Sequence, residues 1–545
     1  MSEQSRMRIL VFISFLVFHS VFASSQNEKI LTREELIEDA RQLVRILETA
    51  HPDPYVNSGG KIAFHRRFQK MLRSLPGEGM TAEAFFRLVS PFVAALRDGH
   101  TALLSPRGNT PPSPGLPFVF KVIQKDLYIA NTCMIEGTEL LGARLISLEG
   151  IPFDELKRRQ NYLRGVENDY GTLALLTRTL MTKDGLEILL PDWKDRNVLH
   201  VGLQPQSGKE RDFTLSLEGK QEKFSEFPAS RVRLPSMDKS DIAFCFMGKD
   251  RETALIKIQD MMTYRECGES WLADGMSAAR DFIQEAYSKF HRKNPPDDIQ
   301  KALLGLPSAT EIFKDLVIAM KEAGTENLIV DLRDNTGGNS LMIPIFLYFL
   351  FGDEVMKGYD EGYSIKKYSD PYFMTYATDS LDKINKDRLV PLMKNDYDFQ
   401  DEFGEREDSG ESLKKSPTFM KVYEAGKYNR YYTPDKILVL SSPLTYSSGF
   451  NMMSALSNVG AILIGTPSAQ PGNNFGDSLV FQLKNSGIAG GVSHKRIISF
   501  PDDPDKPGIL SLHHTLTYEK LASYGFDPNS EVLLALEILN SEKLR

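Results

Sequence analysis

The chain has 545 residues, 41% of them hydrophobic and 25% charged, with a formal net charge of −8. That length and balance describe a globular protein of about three domains, and the mild acidity excludes a nucleic-acid partner held by charge. Three cysteines, Cys133, Cys245 and Cys267, lack the spacing of a metal cluster and are too few for a disulfide scaffold, so one bridge is the most they can form.

The first 23 residues read as a secretory signal peptide. Arg6 and Arg8 flank Met7, an apolar run covers 9–18, and Val21-Phe22-Ala23 fits a cut after Ala23. An uncleaved anchor is the alternative, but the apolar run is short for a bilayer span. The mature protein is expected to be exported, periplasmic or extracellular, without stable membrane insertion.

Residues 24–112 read as a helical region. Thr32 opens a capping pattern, and apolar residues recur at helical spacing through Leu47. A second helix is predicted from about Thr81 to Leu96. It runs into Arg97-Asp98-Gly99-His100-Thr101, where Gly99 is a stop signal. His100 therefore sits on a turn before a short strand; a histidine there is ordinarily solvated or capping.

Residues 113–225 alternate short β-type runs, at 118–122, 127–130, 144–148 and 212–217, with turns. Ile-Ser-Leu-Glu-Gly at 146–150, followed by a helix from near Phe153, resembles the peptide-binding PDZ domain, a fold that accepts a peptide as an added strand. A purely structural β-module is the other reading.

From residue 240 to the end the pattern is α/β. Strands are predicted at 254–258, 327–332, 461–465 and 479–483. Helices are predicted at 311–323, closed by Gly324, and at 530–539. Two insertions are expected: a charged, Pro-containing one near 285–305, and a long one at 357–430 that resembles a lid.

One stretch organises this half. Residues 437–450 read Ile-Leu-Val-Leu-Ser-Ser-Pro-Leu-Thr-Tyr-Ser-Ser-Gly-Phe: a buried strand, a tight turn and a helix start. A serine at such a turn lies among unpaired N–H groups at the positive end of the helix dipole. That suits a nucleophile whose intermediate is an oxyanion, although Ser447 or Ser448 could equally be a helix cap.

Three further pieces align with it: Asp331-Leu-Arg-Asp-Asn-Thr-Gly-Gly, Gly465-Thr-Pro-Ser-Ala-Gln-Pro-Gly-Asn-Asn-Phe-Gly-Asp, and Asp98-Gly-His-Thr. In order and spacing the four resemble the C-terminal processing (tail-specific) serine protease family and its tricorn core branch, over about 242–535 with 98–101 as an outlying match. The resemblance implies an α/β protease core of mixed sheet with flanking helices, in crotonase-like ββα units, preceded by the helical region and the PDZ-like module. It implies Ser447 as nucleophile, with oxyanion donors at Ser448 and at Gly337 or Gly338.

Many members pair the serine with a lysine in a Phe-Gly-Lys-Gly segment. Here Ala469-Gln470-Pro471-Gly472 stands there, without a lysine. The other branch takes a histidine from the N-terminal region, and His100 matches. An imidazole suits the role because its pKa lies near neutrality. The third group is expected at Asp477, with Asp502, Asp503, Asp505 and Asp98 as alternatives.

The function expected is that of an exported serine endopeptidase acting on polypeptides through an acyl-enzyme, with no metal or cofactor. The alternative is a non-catalytic ligand- or peptide-binding protein on the same fold.

Overall fold

The computed structural model describes residues 29–106, 113–133, 139–193, 196–206, 208–217, 228–353, 362–386, 388–403, 409–425, 431–500 and 509–543. The expected signal peptide at 1–23 and Asp502, Asp503 and Asp505 lie outside these residues. No helix among the described residues is long and apolar enough to cross a membrane.

The protein is mixed α/β. Its central sheet has six strands in the order Ile242–Met247, Thr253–Ile258, Asn327–Asp331, Lys436–Ser441, Ile462–Gly465 and His514–Thr515. The first pair is antiparallel and every later pair is parallel. Because side chains alternate across a strand, both faces need cover, and the apolar runs supply both sets. Ala254, Ile256, Leu328, Val330 and Val439 pack under a layer containing Phe282, Phe313, Phe346 and Phe450. Leu255, Ile329, Leu438 and Leu440 face a second core shared with Leu145, Val201 and Val532. The β-rich module and the C-terminal helix Ser530–Lys543 therefore close the opposite face of the central sheet.

The module's own sheet runs Phe118–Ile123, Asp126–Thr132, Arg144–Leu148, Val198–Gln204 and Arg211–Ser216. Three helices, Phe153–Leu163, Asp169–Leu180 and Lys183–Leu189, lie between the third and fourth of these strands. The helix beginning at Phe153 was legible in the sequence. The next two were not, nor was the 198–204 strand.

A second core-region sheet has the order Tyr397–Asp398, Tyr363–Lys367, Ala489–Ile498, Asn473–Gln482. The short strand Ala102–Leu103, just past His100, joins it by pairing Ala102 with Gly491 and Leu103 with Gly490. Helices Arg33–Ala50, Gly60–Arg73 and Ala82–Ala94 pack on that sheet through Leu479, Phe481 and Val492. Thr32 forms the anticipated capping box with Glu35.

Both predicted insertions are more deeply built in than their composition suggested. Residues 285–305 are exposed around 292–294 and 297–298, but Ala286, Ala302 and Leu303 are buried in the main core. In 357–430, Tyr363–Lys367 pairs antiparallel with the 489–498 strand, and Tyr368, Tyr372 and Phe419 are buried. Aromatic anchors spaced irregularly along charged sequence gave no periodicity to read.

Candidate active site

The serine and the glycines meet because their strands are neighbours. Asp331 pairs with Leu440 in parallel register, so both chains leave the sheet at the same carboxyl edge, where open α/β sheets place their ligands. The two loops then bind each other. The Thr445 hydroxyl donates to the Leu332 carbonyl at 2.8 Å, the Tyr446 N–H to the Asn335 carbonyl at 2.9 Å, and the Ser442 hydroxyl to the Arg333 carbonyl. Below them Arg333 is gripped by Asp331 at 2.8 Å and by Glu531 at 2.8 Å. Glu531 also accepts from Lys121 of the module. This explains the Asp-Leu-Arg motif as structural: a buried cation requires paired anions.

Ser447 sits at φ 53°, ψ −127°, in the left-handed half of backbone space that a non-glycine residue enters only under constraint. The constraint comes from its own N–H, which donates to the buried Gln470 Oε1 at 2.6 Å. Within 445–450, Ser447 is the one residue that is not buried. It precedes helix Ser448–Asn458, yet its side chain makes no capping hydrogen bond, which removes the cap reading for this serine. The Ser448 hydroxyl is engaged, 2.8 Å from the Gly338 carbonyl and 2.8 Å from Ser340 Oγ. Of the two serines, only Ser447 carries a hydroxyl without a partner among the described residues.

The two glycines have different reasons to be glycine. Gly337 has φ +105°, and a Cβ there would lie 2.5 Å from Ser447 Cβ. Gly338 has φ +140°, and its Cβ would meet the Met261 carbonyl at 2.4 Å. The Gly337 N–H already donates to Asn335 Oδ1 at 2.9 Å. The N–H groups of Gly338 and Ser448 have no hydrogen-bond partner among the described residues.

His100 arrives from elsewhere. Its turn is built on Asp98, whose carboxylate accepts from the His100 N–H at 2.9 Å, from Ser493 Oγ at 2.7 Å and from the Thr101 hydroxyl. Asp98 also lies 3.2 Å from His51 Nε2. Burial alone would raise the Asp98 pKa, but the His51 hydrogen bond and the two nearby imidazoles hold it well below the usual carboxylate range. The His100 ring stacks on Tyr446, centroids 4.8 Å apart and planes at 27°. Its Nδ1 lies 3.2 Å from the Tyr446 hydroxyl, and its buried Nε2 makes no hydrogen bond. Burial lowers the His100 pKa, with Asp98 and Asp477 partly offsetting it, so the ring stays neutral at physiological pH.

The Ser447 and His100 side chains are not hydrogen-bonded to each other. The link between their segments is Tyr446, which directly precedes Ser447 and contacts the His100 ring. Asp477, the expected third residue, acts on His100 through its charge but makes no hydrogen bond to it: its carboxylate pairs with Lys495 at 2.5 Å and lies 3.8 Å from His494 Nε2. The carboxylate closest to His100 Nδ1 in an ion-pair sense is Asp98, at 4.0 Å. A residue that sequence reasoning missed also lies here. Glu167, from the module, accepts from the Tyr446 hydroxyl at 2.6 Å and from the Gly99 N–H at 3.1 Å. Asp98, His100 and Glu167 are the set among the described residues that could hold a cation, their ligand atoms lying within 4.8 Å of one another. Here the Tyr446 hydroxyl bridges two of the three.

Comparison with known proteins follows the same lines. Residues 286–497 match the profile of peptidase family S41; that span includes Gly337, Gly338 and Ser447 but not His100. No curated protein matches the sequence. Among solved structures, mature CPAF is similar at 13% identity and TM-score 0.56, over 93% of this chain and 98% of that one. Mature CPAF complexed with lactacystin is similar at 14% identity and TM-score 0.54, over 93% and 99%. Residues 286–497 thus carry the sequence pattern of peptidase family S41 on a fold similar to that of mature CPAF, which supports a serine-type peptidase.

Proposed function

We propose that this protein is an exported serine endopeptidase in which Ser447 is the nucleophile and His100 its general base, as in the histidine-using tricorn branch. One observation carries the reading: Ser447 offers an unbonded, accessible hydroxyl in a strained turn and directly follows the tyrosine that holds His100. His100 Nε2 takes the Ser447 proton as Oγ attacks the scissile carbonyl. The N–H groups of Ser448 and Gly338 receive the oxyanion, since the Gly337 N–H is already committed to Asn335. The imidazolium then protonates the leaving amine, and water enters by the same route in reverse to hydrolyse the acyl-enzyme. Gln470 occupies the place of the family lysine and holds the Ser447 backbone instead.

Export rests on the signal-peptide pattern of 1–23, and the PDZ-like reading of 113–225 rests on its strand–turn–helix sequence at 146–163. The test is labelling of the full chain by a fluorophosphonate. Labelling of wild type, lost in Ser447→Ala and kept in Ser448→Ala, supports the assignment; label retained in Ser447→Ala ends it. A second reading, a non-catalytic binder on this fold, is favoured by the absent hydrogen bond between Ser447 and His100. It predicts no labelling and no hydrolysis in wild type.

A further inference from the structure

The base of a serine hydrolase must present a bare Nε2 to the nucleophile, which requires the proton on Nδ1 and an acceptor to hold it there. Among the described residues no carboxylate hydrogen-bonds His100 Nδ1. The atom at that place is the Tyr446 hydroxyl oxygen, at 3.2 Å. A hydroxyl can donate or accept, so it specifies a tautomer only if something fixes its own proton. Glu167 does so: its Oε1 accepts from the Tyr446 hydroxyl at 2.6 Å and from the Gly99 N–H at 3.1 Å, while its Oε2 is buried without a partner.

We propose that Tyr446 and Glu167 are the positioning pair of the His100 base, in place of the single carboxylate of an ordinary triad: Glu167 accepts the hydrogen bond of the tyrosine hydroxyl, and the tyrosine oxygen accepts Nδ1–H. The inference rests on the reading of Ser447 and His100 given above and deepens it.

The arrangement works in either charge state of Glu167. Burial first, then the Asp98 charge, push its pKa up to about 8. When protonated it carries the proton on Oε2, because Oε1 already receives two hydrogen bonds, and Oε1 still accepts from Tyr446. The other charged groups facing the pair are Asp98, Arg164 and, more remotely, Asp477. Asp98 is occupied by His51, Ser493, Thr101 and the turn backbone, which leaves Tyr446 to hold the ring. The Phe475 carbonyl also faces the ring and favours the imidazolium, the form His100 takes after accepting the serine proton. Space is reserved for the pair as well. A Cβ at Gly99 would lie 2.4 Å from the Tyr446 hydroxyl and 3.1 Å from Glu167 Oε2, so the glycine of Asp-Gly-His is required by the tyrosine.

Two measurements on the full chain decide this. The first needs no substrate: in a sample with ¹⁵N-labelled histidine, assigned by loss of one signal in His100→Gln, His100 should show a protonated Nδ1 and a bare Nε2. Tyr446→Phe should return it toward the Nε2-protonated tautomer ordinary in water. A wild-type His100 protonated on Nε2 overturns the proposal. The second is kinetic, on a fluorogenic casein substrate. Tyr446→Phe should lower kcat about a hundredfold with KM within about twofold, Glu167→Ala should fall likewise, and Glu167→Gln, an isostere of the protonated acid, should recover most of the loss. Wild-type kcat in Tyr446→Phe, with His100→Ala inactive, sinks the positioning pair but leaves the base assignment standing. Full activity in His100→Ala sinks the base assignment itself.

Discussion

The serine half of the site and the histidine half are held in different ways. Ser447, Gly337 and Gly338 lie on two loops that leave adjacent parallel strands at the same edge. Backbone hydrogen bonds join the two loops, and the glycines leave no room for a Cβ between them. His100 is held by contributions from three separate parts of the chain. Ala102–Leu103 pairs into the 489–498 strand, His51 and Ser493 fix Asp98, and Glu167 reaches in from the module. The first half is rigid by covalent proximity to a sheet. The second depends on side-chain hydrogen bonds between units with separate cores, and is therefore the half that mutation or pH can loosen without unfolding the protease sheet.

The largest expected effect falls on Ser447. Ser447→Ala should abolish hydrolysis and fluorophosphonate labelling while circular dichroism and thermal unfolding stay as in wild type; residual turnover above about a thousandth of wild type would move the nucleophile elsewhere. His100→Ala should cost about a hundred- to ten-thousandfold in kcat. Because burial lowers the His100 pKa, the acid limb of kcat/KM should fall below the usual histidine value of about 6.5; a limb above that value contradicts a buried base.

Smaller effects separate the halves. Gly337→Ala puts a Cβ 2.5 Å from Ser447 Cβ at φ +105°, and should reduce kcat by about a hundredfold through the serine half alone, with the His100 ¹⁵N signals unmoved. Gly99→Ala should do the reverse, shifting those signals and lowering kcat while Ser447 still labels slowly; shifts in both sets for either variant would show the halves to be one unit. Ser448→Ala loses hydrogen bonds to Gly338 and Ser340 and should cost only about 1 kcal/mol of stability, read from denaturant midpoints.

The least conspicuous effect is in stability against pH. Glu167 has a folded pKa raised from its ordinary 4.5 to about 8, so between those values the folded state binds more protons than the unfolded one. Its contribution is present below pH 4.5 and is lost as the pH rises to 8. Asp98 has a lowered folded pKa, so its contribution is present above its ordinary 3.8 and is lost as the pH falls below it. The Tm difference between wild type and Glu167→Gln should therefore shrink or reverse from pH 4.5 to 8; a constant difference would show that Glu167 does not change its proton binding on folding.

Much of the serine half was legible in the amino-acid order. A strand run cut by Ser-Ser-Pro, a Thr-x-Ser turn before a helix and an Asp-Leu-Arg…Gly-Gly loop are local patterns, because the backbone conformations they need are set by neighbouring residues. His100 was legible only by resemblance, and its expected partner Asp477 pairs with Lys495. Nothing in a run such as Gly165-Val-Glu-Asn marks Glu167, since an acidic residue before a helix reads as an N-terminal helix signal. The residue beside the serine was likewise passed over, because an isolated tyrosine in a turn has no spacing to betray a hydroxyl partner.

The sequence alone determined the strand–turn–helix at Ser447, the glycines opposite it, the absence of a lysine after it and the helical start of the chain, all properties of contiguous residues. Tertiary structure alone decided which of two serines keeps a free hydroxyl, which carboxylate faces the imidazole and what covers the second face of the protease sheet. These depend on side chains that meet across hundreds of residues, where loop-closure entropy is already met by the folded cores and the contact is fixed by packing rather than by any local pattern.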